Sequence, residues 1–392
     1  MPPAAAAADA TRRAGAILTV DLAAIAANWR GLRDAGRAGG KPIDCAAVLK
    51  ADAYGTGAVV VAPRLAAEGC KQFFCAHIEE GIALRRVLAD DLPIYVLNGL
   101  LAGTEGDFVE HDLTPVLNHL GQLNAWRAAA QRFSRPLDAV IHIDTGMNRL
   151  GFGPEEAQAL ASERGRLRGL RLALLMSHLV VSEEPANPIN GEQLSRFRSF
   201  VKAMPGAPTS LANSSGIFLG PDYHFDLLRP GAALYGINPL PGQPNPMLPT
   251  VTLKARILQV RRIDALQTVG YGAAWRSARP SRVATIALGY ADGYFRTLIN
   301  RTHVHLGGHR VPVIGRISMD LVTIDVTDVP EAESQIGAAV EVLGPEMTAD
   351  DLAEHARTNA YEVMTALGRR YARLYVDDVD PVDSVDNPES AA

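Results

Sequence analysis

The sequence predicts an α/β architecture, a closed (β/α)8 TIM barrel followed by a mostly antiparallel β domain, and three observations carry that prediction. From about residue 44 to 236, eight short apolar runs alternate with longer, mainly amphipathic segments, the rhythm of a parallel sheet with crossover helices. Beyond a stretch dense in Pro, Gly and Asn, the pattern changes to period-two alternation with turn signals and little helix. The length of 392 residues exceeds a single typical core and accommodates both units.

The eight runs are, in order, "CAAVLK", "FFCAHI", "PIYVLNG", "TPVLN", "LDAVIHIDTG", "LALLMSHL", "TSLANSS" and "LLRPGAALYG". Between several of them lie "AVVVAPRLAAEG", "IEEGIALRRVL" and "PEEAQALASERGRL", with apolar residues three and four apart, the spacing of one helix face. A doubly wound open sheet is the competing arrangement, and the count of eight favours closure. The linker is "YGINPLPGQPNPMLPT". After it, "VTLKARILQVRRID", "RVATIALGYADGY", "THVHLGGHRVPVIG" and "LVTIDVTDV" read as strands, with helix returning at "TADDLAEHA". The expected division is a flexible leader over 1–14, a barrel over 15–250, a β domain over 251–385 and a flexible tail over 386–392.

Composition narrows the function. A net charge of -5 with no long run of one sign argues against a nucleic-acid or membrane-surface face, and a small-molecule partner fits better. In the alanine-rich N-terminus, Arg12 and Arg13 follow the apolar stretch, whereas a signal peptide places its basic residues first. No apolar run approaches the roughly 20 residues that span a bilayer. A cytoplasmic protein is expected, with Cys45, Cys70 and Cys75 as buried thiols, not a disulfide framework.

In a closed parallel barrel the site forms at the carboxyl ends of the strands. Lys50 ends the first run, Arg149 follows the fifth, His178 ends the sixth, Asn213 and Ser214 end the seventh, and Arg229 lies in the eighth. Any one alone reads as an ordinary loop residue; together they concentrate charge at one rim. Lys50 is the sharpest. A lysine facing an apolar interior has its charged form disfavoured, so its free amine becomes available for a Schiff base with a carbonyl compound. Pyridoxal phosphate is the obvious aldehyde. "RPGAALYG" offers a phosphate cradle, since Gly231 permits close backbone approach and Ser214 supplies a hydroxyl; taken alone, that stretch reads equally well as a Pro-Gly turn. His303 and His305 in "HVHLGGH" share a strand face, with His309 across a Gly-Gly turn. With no cysteine or carboxylate close by in sequence, a hairpin is expected and a metal is not. The basic residues of "GRRYAR" read as a solvated or interface edge.

"VLKADAYGTGA", "HIDTGMNRLGF", "MSHL", "LANSSG", "LRPGAALYGI", "VGYGAAW", "LGYADGYFR" and "IGRISMDLVTIDVTD" together resemble bacterial alanine racemases in order and spacing, from about residue 15 to 375. The resemblance implies a pyridoxal 5'-phosphate enzyme that interconverts L- and D-alanine with two bases, supplies D-alanine for peptidoglycan, and works as a head-to-tail homodimer. It makes Lys50 the cofactor-bearing lysine and first base, and Tyr54 a phosphate contact. His178 packs at the cofactor and joins a network to the catalytic tyrosine. Ser214, the backbone at Gly231 and Ala232, and the Tyr361 hydroxyl hold the phosphate. Arg229 faces the pyridine nitrogen, and Arg149 approaches the phenolic oxygen and the substrate carboxylate. Tyr271 is the second base, supplied by the partner subunit in that family, and the Met319 amide receives the substrate carboxylate.

The chemistry calls for these residue types. Racemisation removes a proton from one face of Cα and returns one to the other, so two acid/base groups must flank it. A guanidinium facing the ring nitrogen gives up no proton, leaving the ring a weaker electron sink. The sequence departs from the family at three places. His142 replaces a lysine that is carbamylated in some members and braces the following arginine, Asp52 stands where many have asparagine, and Ser318 where some have cysteine. The alternatives are a broad-specificity amino-acid racemase, a related decarboxylase with a carboxylate in place of Arg229, and a cofactor carrier, which would lack the β domain and Tyr271.

Overall fold

The structure is a computed structural model that describes residues 4–37, 40 and 43–377. Its barrel strands follow the sequence rhythm. The first is broken at Ala46 into Asp44–Cys45 and Ala47–Val48. After it come Phe73–Cys75, Ile94–Val96, Thr114–Leu117, Leu137–His142, Leu170–Met176, Thr209–Ser210 and Leu227–Leu228. From Ala47–Val48 round to Thr209–Ser210 each pairs in parallel with the next, and Leu227–Leu228 pairs in parallel with Asp44–Cys45. Backbone bonds from Asp226 to Thr209 (2.9 Å) and from Arg229 to Ala212 (3.0 Å) join the seventh and eighth strands, so the ring closes. Inward-facing Val48, Phe74, Tyr95, Val116, Val140 and Leu174 fill it as a packed plug, which leaves only the ends of the barrel open to ligands.

The C-terminal sheet is organised by one long strand, Val251–Ile263. It pairs antiparallel with Ala16–Asp21, with Ala339–Leu343 and, past a bulge, with Ser281–Ile286. Antiparallel pairing continues through Val322–Asp325, His309–Ile314 and His303–Leu306 back to Ala339–Leu343, closing a second, smaller ring. The hairpin read from "LGGH" is present, with Gly307 and Gly308 both at positive φ (57° and 80°), a combination that favours glycine.

The structure corrects two expectations at the N-terminus. Ala16–Asp21, expected in the barrel unit, lies in the β-domain sheet between Val251–Ile263 and the parallel strand Ala372–Val376. It alternates between buried and half-buried residues, and nothing in its own sequence names partners more than two hundred residues away. Residues of the expected flexible leader form the helix Ala4–Arg13. Alanine has the highest helix propensity, Asp9 pairs with Arg12 (2.6 Å) and Arg13 (2.7 Å), and Arg256 donates to the Thr11 carbonyl (3.2 Å). The tail over 386–392 lies outside the described residues. Among the described residues no helix is long and apolar enough to cross a membrane.

Candidate active site at the barrel mouth

Lys50 follows the first barrel strand and opens a short turn, Lys50–Tyr54, whose next four residues are left-handed: Ala51, Asp52, Ala53 and Tyr54 have φ of 54°, 55°, 54° and 55°. None is glycine, so the conformation costs about 1–2 kcal/mol per residue and needs surrounding contacts to hold it. Those contacts are present. The Glu80 carboxylate accepts the Ala51 amide (2.7 Å) on one oxygen and the Ala76 (2.7 Å) and His77 (3.1 Å) amides on the other. Asp52 accepts the Ala58 amide (2.8 Å), and Arg373 donates to the Gly55 carbonyl (2.5 Å). Burial lowers the Lys50 ammonium pKa and the Arg149 charge adds to the effect, while Glu80 opposes it. The result favours a free amine.

Beside Lys50 is an anion-sized cradle. Ser214 Oγ accepts the amides of Gly231 (3.0 Å) and Ala233 (3.2 Å), and the Ala232 amide has no acceptor among the described residues. A Cβ on Gly231 would collide with the Tyr54 hydroxyl, so only glycine lets that phenol point into the cradle. The Tyr54 ring stacks on Tyr235 at 4.8 Å and tilts against Tyr361 at 6.3 Å. Burial raises the Tyr54 pKa, and burial with Glu183 and Asp350 pushes Tyr361 up to about 12, so both phenols stay protonated and can donate.

Arg229, 4 % exposed, forms the floor. Its guanidinium donates to Ser210 Oγ and to the Ser177 carbonyl (2.5 Å), and it has no carboxylate partner among the described residues. Burial pushes its pKa down to about 9, which still leaves it cationic at neutral pH. His178 is held neutral by burial, reinforced by Arg229, Lys50 and Arg149. His142 is pushed down to about 4 by burial and then Arg229, and its Nδ1 bonds Asn118 Oδ1 (2.8 Å). It therefore does not replace the missing carbamate as a brace. Arg149 is exposed with no side-chain bond among the described residues. Its loop is shaped by Asp144, whose carboxylate accepts the amides of Gly146 (2.8 Å), Met147 (2.9 Å) and Asn148 (2.9 Å).

One cavity of about 390 Å³ gathers Lys50, Tyr54, Arg149, His178, Ser214, Arg229, Gly231, Ala232 and Tyr361. Tyr271 and Met319 do not line it; both sit on the β domain, 72 % and 53 % exposed. A larger cavity of about 980 Å³ opens at the opposite end of the barrel, lined by residues such as Lys71, Asp91 and Asp226, and contains none of the predicted site residues. His303 stacks edge-on against His305 (5.1 Å) and His355 (5.6 Å), and among the described residues no cluster of histidine, cysteine or carboxylate is arranged to hold a metal. Sequence reasoning missed Glu80, Ser177, Ser210 and Tyr235. Glu80 looked like an ordinary first-turn helix acid, and the others lie in apolar strand-like runs that read as core.

Fold and site together define a class of protein: a (β/α)8 barrel with a desolvated lysine and an anion cradle at its mouth, joined to a β domain that carries an exposed tyrosine. The family model described as alanine racemase, N-terminal domain, matches residues 20–239, and that of the C-terminal domain matches 250–375. The alanine racemase of Rhodospirillum rubrum is 47% identical over 363 residues, covering 93% of this chain and 96% of that protein. The catabolic alanine racemase of Mesorhizobium japonicum is 48% identical, over 93% and 94% of the two chains. The crystal structure of alanine racemase from Bartonella henselae with covalently bound pyridoxal phosphate superposes with a TM-score of 0.88 at 39% identity, covering 93% of this chain and 100% of that one. The chain belongs to the alanine racemase family.

Proposed function

We propose that the protein interconverts L- and D-alanine with pyridoxal 5'-phosphate held at Lys50, in a cytoplasmic head-to-tail homodimer whose D-alanine serves peptidoglycan synthesis. The observation that carries this reading is the placement of the Lys50 amine and the Gly231 cradle in one cationic cavity. The residues fit the cofactor: an amine with lowered pKa for its aldehyde, and the free Ala232 amide, the Ser214 hydroxyl and the Tyr54 and Tyr361 phenols for its phosphate. When bound, the cofactor supplies the electron withdrawal that acidifies the Cα–H of an attached amino acid.

The chain's own residues do the rest. Lys50 Nζ exchanges a proton on one face of Cα, and Tyr271 Oη, brought by a second subunit, exchanges one on the opposite face. The exposure of Tyr271 and its absence from the Lys50 cavity support that division. Arg149 and the Met319 amide receive the substrate carboxylate. Arg229, cationic at neutral pH, would face the ring nitrogen, and it is held by a hydroxyl and a carbonyl with no carboxylate partner among the described residues, which favours a racemase over a decarboxylase. Neutral His178, beside Arg229, relays to the tyrosine. Borohydride reduction of the protein supplied with pyridoxal phosphate is expected to fix the cofactor on Lys50, and the unreduced holoenzyme is expected to convert either enantiomer of alanine to the racemate. Cofactor fixed at Lys50 without racemisation of alanine would overturn the reading.

A further inference from the structure

In the basic segment "GRRYAR", read as a solvated or interface edge, Arg369 and Arg370 are exposed, but Arg370 is also bonded within the chain. Arg370 is a three-donor fork: Nε and Nη2 bond the two carboxylate oxygens of Asp292 (2.6 and 2.8 Å), and Nη1 bonds Asp320 Oδ1 (2.7 Å). Asp292 is 5 % exposed and also accepts the Gly289 amide (2.9 Å). The turn that it closes lies directly against Met319. The Tyr290 amide donates to the Ser318 carbonyl (3.0 Å) and the Ala291 amide to the Met319 carbonyl (3.0 Å), and a Cβ on Gly289 would collide with that carbonyl. Arg370 therefore grips the Met319 peptide from two sides, through the turn that holds its carbonyl and through the side chain of the next residue. The Met319 amide itself has no acceptor among the described residues.

Three residues along, Arg373 donates to the Gly55 carbonyl at the end of the Lys50 turn (2.5 Å) and to the Gly368 carbonyl (3.1 Å), while the Gly368 amide donates to the Asp292 carbonyl (3.2 Å). One short segment thus fixes both the turn that carries Lys50 and the loop that carries Met319. We propose that Arg370 is a positioning residue for substrate binding: it aims the free Met319 amide, with Asp292 and Asp320 as the arms through which it acts. This rests on the reading that the Met319 amide receives the substrate carboxylate.

The test uses the holoenzyme with Arg370→Ala, Asp320→Asn, the double variant, and Met319→Pro as a reference that deletes the amide. Arg370→Ala is expected to raise KM for L-alanine roughly three- to tenfold with kcat changed less than about threefold. The double variant should be no worse than Arg370→Ala, because both act through one contact. Amide hydrogen exchange over residues 316–321 should quicken in Arg370→Ala, a readout that does not depend on turnover. If Arg370→Ala does not fold, Arg370→Lys replaces it; a lysine can hold one carboxylate but not the fork, and an intermediate KM is expected. Wild-type KM in a folded Arg370 variant, alongside a raised KM in Met319→Pro, overturns the proposal. If Met319→Pro leaves KM unchanged, the carboxylate reading falls and the substrate-binding proposal falls with it; quickened exchange over 316–321 in Arg370→Ala then shows only that Arg370 holds the loop.

Discussion

The barrel mouth and the rim of the β domain carry their candidate residues under opposite conditions. In the mouth, Lys50, Arg229 and His178 are desolvated, Arg229 is held by Ser210 and Ser177, and nine candidate residues share one cavity. On the β domain, Tyr271 and Met319 stand exposed, and the Met319 amide has no acceptor among the described residues. The mouth is assembled from residues of one chain, whereas Tyr271 and Met319 line no part of its cavity. Burial tunes the first set of groups, whereas the second stands open to solvent.

The largest effect expected from that contrast is complementation. Lys50→Ala and Tyr271→Ala proteins should each be inactive alone, and equilibrated mixtures should recover about a quarter of wild-type activity, since half the dimers are hybrid and each hybrid holds one intact site. Proven subunit exchange without recovery would place both bases in one chain. A smaller effect is expected at the cradle. Gly231→Ala forces a methyl against the Tyr54 hydroxyl and should weaken pyridoxal phosphate binding at least about tenfold, read by absorbance titration, while the β domain keeps its fold. Unchanged affinity would mean that the phosphate sits elsewhere.

The smallest effect tests the desolvated interior through stability. Burial holds His142 at about 4, below its ordinary 6.5, so between those values the unfolded chain binds more protons than the native one and stability falls as pH drops. The slope approaches about 1.4 kcal/mol per pH unit for one such group. His142→Gln should therefore lose less melting temperature between pH 7 and pH 5 than the wild type, with His178 supplying the remaining slope. Equal slopes would show that His142 is not desolvated.

The barrel and most of its mouth were legible in the sequence because both signals are local. A strand of the ring is a short apolar run, and a mouth residue is a polar group at its end, so Lys50 and His178 could be placed by counting. What escaped depends on distant or conformational facts. Ala16–Asp21 alternates like any half-buried strand, and nothing in it names Val251–Ile263 as a partner. Arg370 and Arg373 look like solvent-facing charge until Asp292, Asp320 and Gly55 arrive from far along the chain. The left-handed turn after Lys50 has no glycine to betray it; "KADAY" carries strong helix formers and reads as right-handed.

That turn also bears on when the barrel mouth takes shape during folding. Four consecutive left-handed residues are uphill in isolation by about 1–2 kcal/mol each, so the segment cannot nucleate structure and forms only after its supports are in place. Glu80 comes from the second barrel unit and Arg373 from the last described strand, Ala372–Val376. A chain still emerging from the ribosome lacks the second of these, so its Lys50 turn is not yet held from that side. The Lys50 turn is fully supported only once Ala372–Val376 has paired with Ala16–Asp21, which makes a late step of folding a condition for shaping the barrel mouth.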